Sequence, residues 1–154
     1  MRRVDSIIIH CSATQNGNSR WSIADIDEWH AKRGFGRRPE AVVIGGGGLW
    51  EHVGYHRVIN VDGVVETGRD ISEVGAHCSG YNETSVGICM MGTDAFTEPQ
   101  WESLRRQVLA LSYEAGHFLS VNGHNKYSSK SCPGFDVISW LRGGMTPLRG
   151  HVVE

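Results

Sequence analysis

Val4-Asp-Ser-Ile-Ile-Ile-His10-Cys-Ser-Ala13 reads as a β-strand with isoleucine on both faces, running out into a polar turn at His10. Three successive isoleucines leave neither face for water, so the strand belongs inside a sheet covered on both sides. Its polar end is where side chains from different segments can converge at a sheet's edge. Cys11 should point to the face opposite His10, which argues against both being ligands in one site.

A second stretch supplies matching chemistry: Val121-Asn-Gly-His124-Asn-Lys-Tyr-Ser-Ser-Lys130-Ser-Cys132-Pro-Gly-Phe135. His124 and Cys132 lie in a polar loop, with Lys130 two residues before the cysteine and able to face the same side in an extended segment. His10, His124 and Cys132 are two imidazoles and one thiolate. That set can hold zinc and leave its fourth position open to water, as a hydrolytic site requires. The residues alone leave a metal-free alternative open, in which Cys132 and His124 act as a thiol nucleophile and its base. The other histidines read as structural: His30 and His117 on helical patterns, and His52, His56 and His151 elsewhere.

Between these stretches, helical and strand patterns alternate. Ser22-Ile-Ala-Asp25 resembles a capping box opening a helix through about Lys32, with Ile23, Ile26 and His30 on its inner face and Trp29 beside them. Gly34 to Trp50 is irregular and contains four glycines at 45–48; without a following Lys-Ser/Thr it is no phosphate loop and reads as a surface loop or a lid. Gly54–Val61, Asp62-Gly63 and Val64–Thr67 form a hairpin pattern, with Asp-Gly suited to a two-residue primed turn. Thr84 to Met91 is apolar enough for a central strand. Thr97-Glu-Pro-Gln100 caps a helix to about Gly116 whose buried stripe is Trp101, Leu104, Val108, Leu111 and Ala115. Phe118–Val121 reads as a short strand, and Asp136 as the cap of a last helix through Trp140 and Leu141. The expected fold is α/β, a single domain with a mixed central sheet flanked by helices on both faces. The catalytic unit is expected over residues 1–142, with 143–154 a tail of little pattern.

Composition narrows the function further. The chain has 154 residues, 15 basic and 17 acidic, for a net charge of −2, so nothing in it selects nucleic acid or a membrane surface. No apolar run approaches the roughly 18 residues of a membrane span, and the N-terminus lacks a secretory apolar core. Synthesis in the cytosol is therefore expected. The four cysteines, 11, 78, 89 and 132, include no CxxC and fit reduced thiols, with Cys89 as core filling.

Seven short motifs occur in one order: His10-Cys-Ser-Ala-Thr14, Val53-Gly-Tyr55-His56, Gly68-Arg-Asp70, Val74-Gly-Ala-His77, Gly80-Tyr-Asn82, Ser85-Val-Gly-Ile-Cys89 and Lys130-Ser-Cys132-Pro. Spread over most of residues 5–140, they resemble the type 2 N-acetylmuramoyl-L-alanine amidases, the family that includes peptidoglycan recognition proteins. Within it the chain looks most like the phage T-seven type lysozymes, which are endolysin amidases. The resemblance implies Zn2+ as cofactor, held by His10, His124 and Cys132 at the floor of an open cleft. It implies Tyr55 and Lys130 as catalytic residues and His77 and Asn82 as substrate-groove residues. It also implies peptidoglycan as substrate, cleaved between N-acetylmuramic acid and L-alanine, and release from the host cytosol through a holin-made lesion.

Two departures from that pattern stand out. The connection from Arg37 to Glu51 looks longer than in the phage prototype and would alter one wall of the cleft. The chain also begins nearer its first ligand, so the RNA polymerase binding of some phage members is not carried over; a monomer is expected. A binding-only recognition protein would lack the cysteine ligand, and a cytosolic amidase recycling muropeptides would carry aspartate in place of Cys132.

Overall fold

The computed structural model describes residues 2–37 and 50–154, and within them a five-stranded sheet lies between helices. The strands are β1 (Ser6–Cys11), β2 (Arg57–Ile59), β3 (Val65–Thr67), β4 (Ser85–Met90) and β5 (Ser120–Gly123), in the order β3-β2-β4-β1-β5. β1 runs parallel to both β4 and β5, β2 is parallel to β4, and β3 is antiparallel to β2. The helices are α1 (Ile23–Lys32), α2 (Glu98–Ala115) and α3 (Val137–Arg142). Most of the irregular connection expected over 34–50 falls in residues 38–49, outside the described residues.

Strand alternation divides the core in two. Ile7 and Ile9 of β1, with Val86, Ile88 and Met90 of β4, face Trp101, Leu104, Val108 and Leu111 of α2 and Trp140 of α3. Cys89 of β4 and Val58 of β2 face the other way, onto Ile23 and Ile26 of α1. Helices therefore cover both faces, as the isoleucine run of β1 requires. Within the first layer Trp101 packs edge-on against Phe135, with ring centroids 4.7 Å apart, a geometry favoured by the ring quadrupoles.

The helix ends follow their signals. Thr97 Oγ1 accepts from Gln100 N at 3.3 Å and Gln100 Oε1 accepts from Thr97 N at 2.9 Å, a reciprocal capping box, and Gly116 ends α2 in the left-handed region with φ 67°. Asp136 caps α3 by accepting from Ile138 N at 3.1 Å. At α1, the Asp25 carboxylate accepts from Ser22 N at 2.9 Å.

Three expectations need correction. The hairpin does not use a two-residue primed turn: Gly63 N–H donates to Asn60 O at 2.8 Å and Asn60 N–H to Val64 O at 2.9 Å, so three residues form the loop. Only Gly63 takes positive φ, 85°, while the Asp62 carboxylate accepts from Val64 N instead. β5 begins two residues later than the apolar pattern indicates, because pairing Ser6 with Ser120 sets its register and leaves Phe118 85% exposed. His117 lies just past α2 rather than on it, its Nε2 within 2.6 Å of Val4 O.

The last residues return to this core. Phe96 and Val152 form a parallel bridge, and the carbonyl of His151 accepts from Phe96 N at 2.9 Å and Trp101 Nε1 at 3.1 Å. No helix among the described residues is long and apolar enough to cross a membrane.

Candidate metal centre and cleft

Because β1, β4 and β5 are parallel, their C-terminal ends share one edge of the sheet, the usual place for a site in such folds. His10 stands near the end of β1, and His124 follows the last residue of β5. Cys132 is brought back to them by a loop whose carbonyl at Cys132 accepts from Asn125 N at 2.7 Å. One donor atom from each of His10, His124 and Cys132 lies within 4.8 Å of the others, and the imidazole rings of the two histidines are 4.6 Å apart. Cys132 Sγ is 3.8 Å from His10 Nδ1. Tetrahedral zinc with ordinary bond lengths would separate such a nitrogen and sulfur by about 3.5 Å. A shift of a few tenths of an ångström would suffice, so the donor set and its spacing fit zinc.

The three donors line a cleft of about 820 Å³ together with Tyr55, His77, Asn82 and Lys130. Every site residue picked out by sequence therefore meets here, but not all in the expected manner. Burial pushes His10 well below the usual histidine range, and burial followed by the nearby Lys130 charge lowers His124, so both favour the neutral form that a metal needs. Hydrogen bonding with Cys11 and burial push the Cys132 thiol up, so capture of an ion there displaces a proton. Cys11 N–H donates to Cys132 Sγ at 3.2 Å, while the Cys11 side chain packs against the α2-side core. All four cysteines are unpaired.

Tyr55 stands just before β2 rather than within a strand, its ring centroid 5.0 Å from that of His10. Burial raises its phenol well above the ordinary value, which keeps the hydroxyl protonated. Lys130 is exposed at the cleft mouth. His77 sits behind His10, with its Nδ1 2.8 Å from His10 Nε2. The amide oxygen of Asn82 is engaged by the backbone, accepting from His77 N at 2.8 Å and Cys78 N at 2.9 Å.

Sequence reasoning passed over two supports. His30 was read only as an inner-face residue of α1, yet it also lines the cleft. Its Nδ1 accepts from Gly54 N at 2.8 Å, fixing the residue before Tyr55, and burial lowers it to about 4. Arg69 is buried and reaches the carbonyls of Val53 at 2.8 Å, Val74 at 3.0 Å and Gly36 at 3.2 Å. It thus ties together three loops around the site, which is the physical content of the Gly68-Arg-Asp70 motif. A buried arginine hidden among loop residues leaves no periodicity to read.

Comparison with known proteins agrees with this geometry. The family model for N-acetylmuramoyl-L-alanine amidase matches residues 1–135. The endolysin of Escherichia phage T7 is 36% identical over 146 residues, covering 88% of this chain and 84% of that protein. The endolysin of Klebsiella phage KP32 is 35% identical over 148 residues, covering 90% and 86%. Among solved structures, the endolysin amidase LysCS from Clostridium intestinale URNW superposes with a TM-score of 0.74 at 23% identity, over 94% of this chain and 84% of that one, a likeness of fold. Drosophila PGRP-LB does so with a TM-score of 0.70 at 20% identity, over 99% and 85%. With most of its length matched both to the family model and to two phage endolysins, the chain belongs to the N-acetylmuramoyl-L-alanine amidase family.

Proposed function

We propose that the protein is an endolysin amidase that uses zinc to hydrolyse the amide bond between N-acetylmuramic acid and L-alanine in peptidoglycan. The observation that carries this reading is the convergence of His10, His124 and Cys132 within 4.8 Å at the floor of a cleft. Bound there, a zinc ion supplies Lewis acidity, polarising a carbonyl and lowering the pKa of a water to about 7. Likeness to phage endolysins over most of the chain supports the wall as the target.

The chain's own residues supply the rest. As the amide carbon becomes tetrahedral its oxygen gains negative charge, and the Lys130 ammonium at the cleft mouth offsets that charge. Tyr55, protonated because it is buried, offers a hydrogen bond or a proton beside His10. Residues 1–142 form the catalytic unit in this reading, and 143–154 buttress it. The protein is made in the host cytosol and meets its substrate after release through a membrane lesion.

Digestion of purified peptidoglycan with mass analysis of the products tests the proposal. Stem peptides beginning at L-alanine, with a matching loss on removal of zinc, are expected. New sugar reducing ends without such peptides, or activity that survives exhaustive chelation, would refute it.

A further inference from the structure

Residues of three other sequence motifs meet around His77. Asn82 Oδ1 holds its backbone N–H. Gly87 of β4 leaves room for the ring, since a Cβ there would come within 2.6 Å of His77 Cγ. Ser85 Oγ, buried on the same strand, lies 3.2 Å from His77 Nε2 and donates to the carbonyl of Tyr81 at 2.7 Å. At the other side His77 Nδ1 meets His10 Nε2 at 2.8 Å.

The direction of these hydrogen bonds is fixed from one end. The Tyr81 carbonyl can only accept, so the single hydroxyl proton of Ser85 points at it, and Ser85 Oγ must accept from His77. With one proton on each imidazole, His77 then carries its N–H on Nε2 and presents a bare Nδ1. His10 must place its own N–H on Nε2 to meet that acceptor. Its Nδ1, the atom 3.8 Å from Cys132 Sγ, is left with a free lone pair facing the other donors. Reversing the chain would set two oxygens 2.7 Å apart with no proton between them, and would cover the His10 lone pair that the site uses.

We infer that His77 is a positioning residue: together with Ser85 and the Tyr81 carbonyl it locks His10 in the tautomer that presents Nδ1 to the metal. This rests on the zinc reading above and changes the part expected of His77, from substrate contact to support of a ligand. Partners of this kind orient a ligating imidazole and raise its basicity, and their loss weakens metal binding by about 10- to 100-fold.

The test compares zinc affinity, by competition with a chromophoric chelator, in the full-length parent, His77→Leu and His77→Asn. The asparagine oxygen can stand where Nδ1 stood and accept from His10. His77→Leu should lose about 10- to 100-fold in affinity, and His77→Asn should recover most of it. Equal affinity for parent and His77→Leu, or an equal loss in both variants, would overturn the inference. Long-range proton–nitrogen NMR of the metal-free parent gives a readout independent of variants and of activity. His10 should show a protonated Nε2 and a bare Nδ1, and the opposite tautomer would overturn the inference. Failure of the parent to bind zinc would instead strike at the proposed function, and the tautomer would still decide this question.

Discussion

The ring of Tyr55 lies 5.0 Å from that of His10 and packs against the buried cluster that contains Cys89, the strand partner of His10. Its position depends on buried neighbours rather than on solvent. Tyr55→Phe keeps the ring packed against His10 and His30 and removes only the hydroxyl. Turnover of peptidoglycan is expected to fall by about 100-fold, the ordinary worth of a proton-transfer group, with bound zinc unchanged. Equal loss of zinc and activity would mean that the tyrosine only supports the ligands.

Cys132 and Cys11 should separate cleanly. Cys132→Ala removes a donor, so metal retention and hydrolysis should both disappear. Cys11→Ser keeps the backbone N–H that reaches Cys132 Sγ and puts a hydroxyl, still able to hydrogen-bond, in place of the thiol beside Cys132. It should retain one zinc per chain by elemental analysis. Stoichiometric zinc in Cys132→Ala would remove the sulfur from the ligand set.

Gly87→Ala inserts a methyl group into the space held by the His77 ring. Overpacking of this kind costs about 1–3 kcal/mol, and in a chain of this size each kcal/mol lowers Tm by about 2–4 °C. Thermal unfolding should show that loss, accompanied by weaker zinc binding. An unchanged Tm would mean that the strand or the loop yields freely.

Acid should destabilise the metal-free protein. His56 is fully buried, its Nδ1 accepting from Gly87 N and its Nε2 donating to Glu73 O, and burial lowers it to about 3; His30 is lowered to about 4. In the unfolded chain both return to about 6.5. Below that value the unfolded state takes up protons that the native state refuses. Stability is therefore fully present above about pH 7 and falls as the pH drops toward these native values. The slope is about 1.4 kcal/mol per pH unit for each histidine. Tm measured in chelator should decline steeply between about pH 6 and 4, and a flat profile there would contradict the buried neutral state.

Much of this was legible in the chain itself. The isoleucine run of β1, the Thr97 and Asp136 caps and the α2 stripe are local signals, and local physics carried them into the fold. The meeting of His10 and His124 was legible because both end apolar segments. The hold of Asn82 on the backbone of His77 and Cys78 was not, since a short polar loop carries no periodicity to read. The seat of the His77 ring is likewise set by β4, through Gly87 and Ser85. The register of β5 was hidden for a similar reason: β1 chooses it across the sheet, against the pull of Phe118.

β1 and β5 are neighbours in the sheet although Ser6 and Ser120 stand more than a hundred positions apart along the chain. Contacts between such distant segments close large loops and form late in folding. A growing polypeptide that ends before β5 possesses one imidazole of the ligand trio and lacks the other two donors. On the proposed zinc reading, ion retention counts only molecules whose first and last strands have met, and a zinc assay doubles as a census of correctly threaded protein.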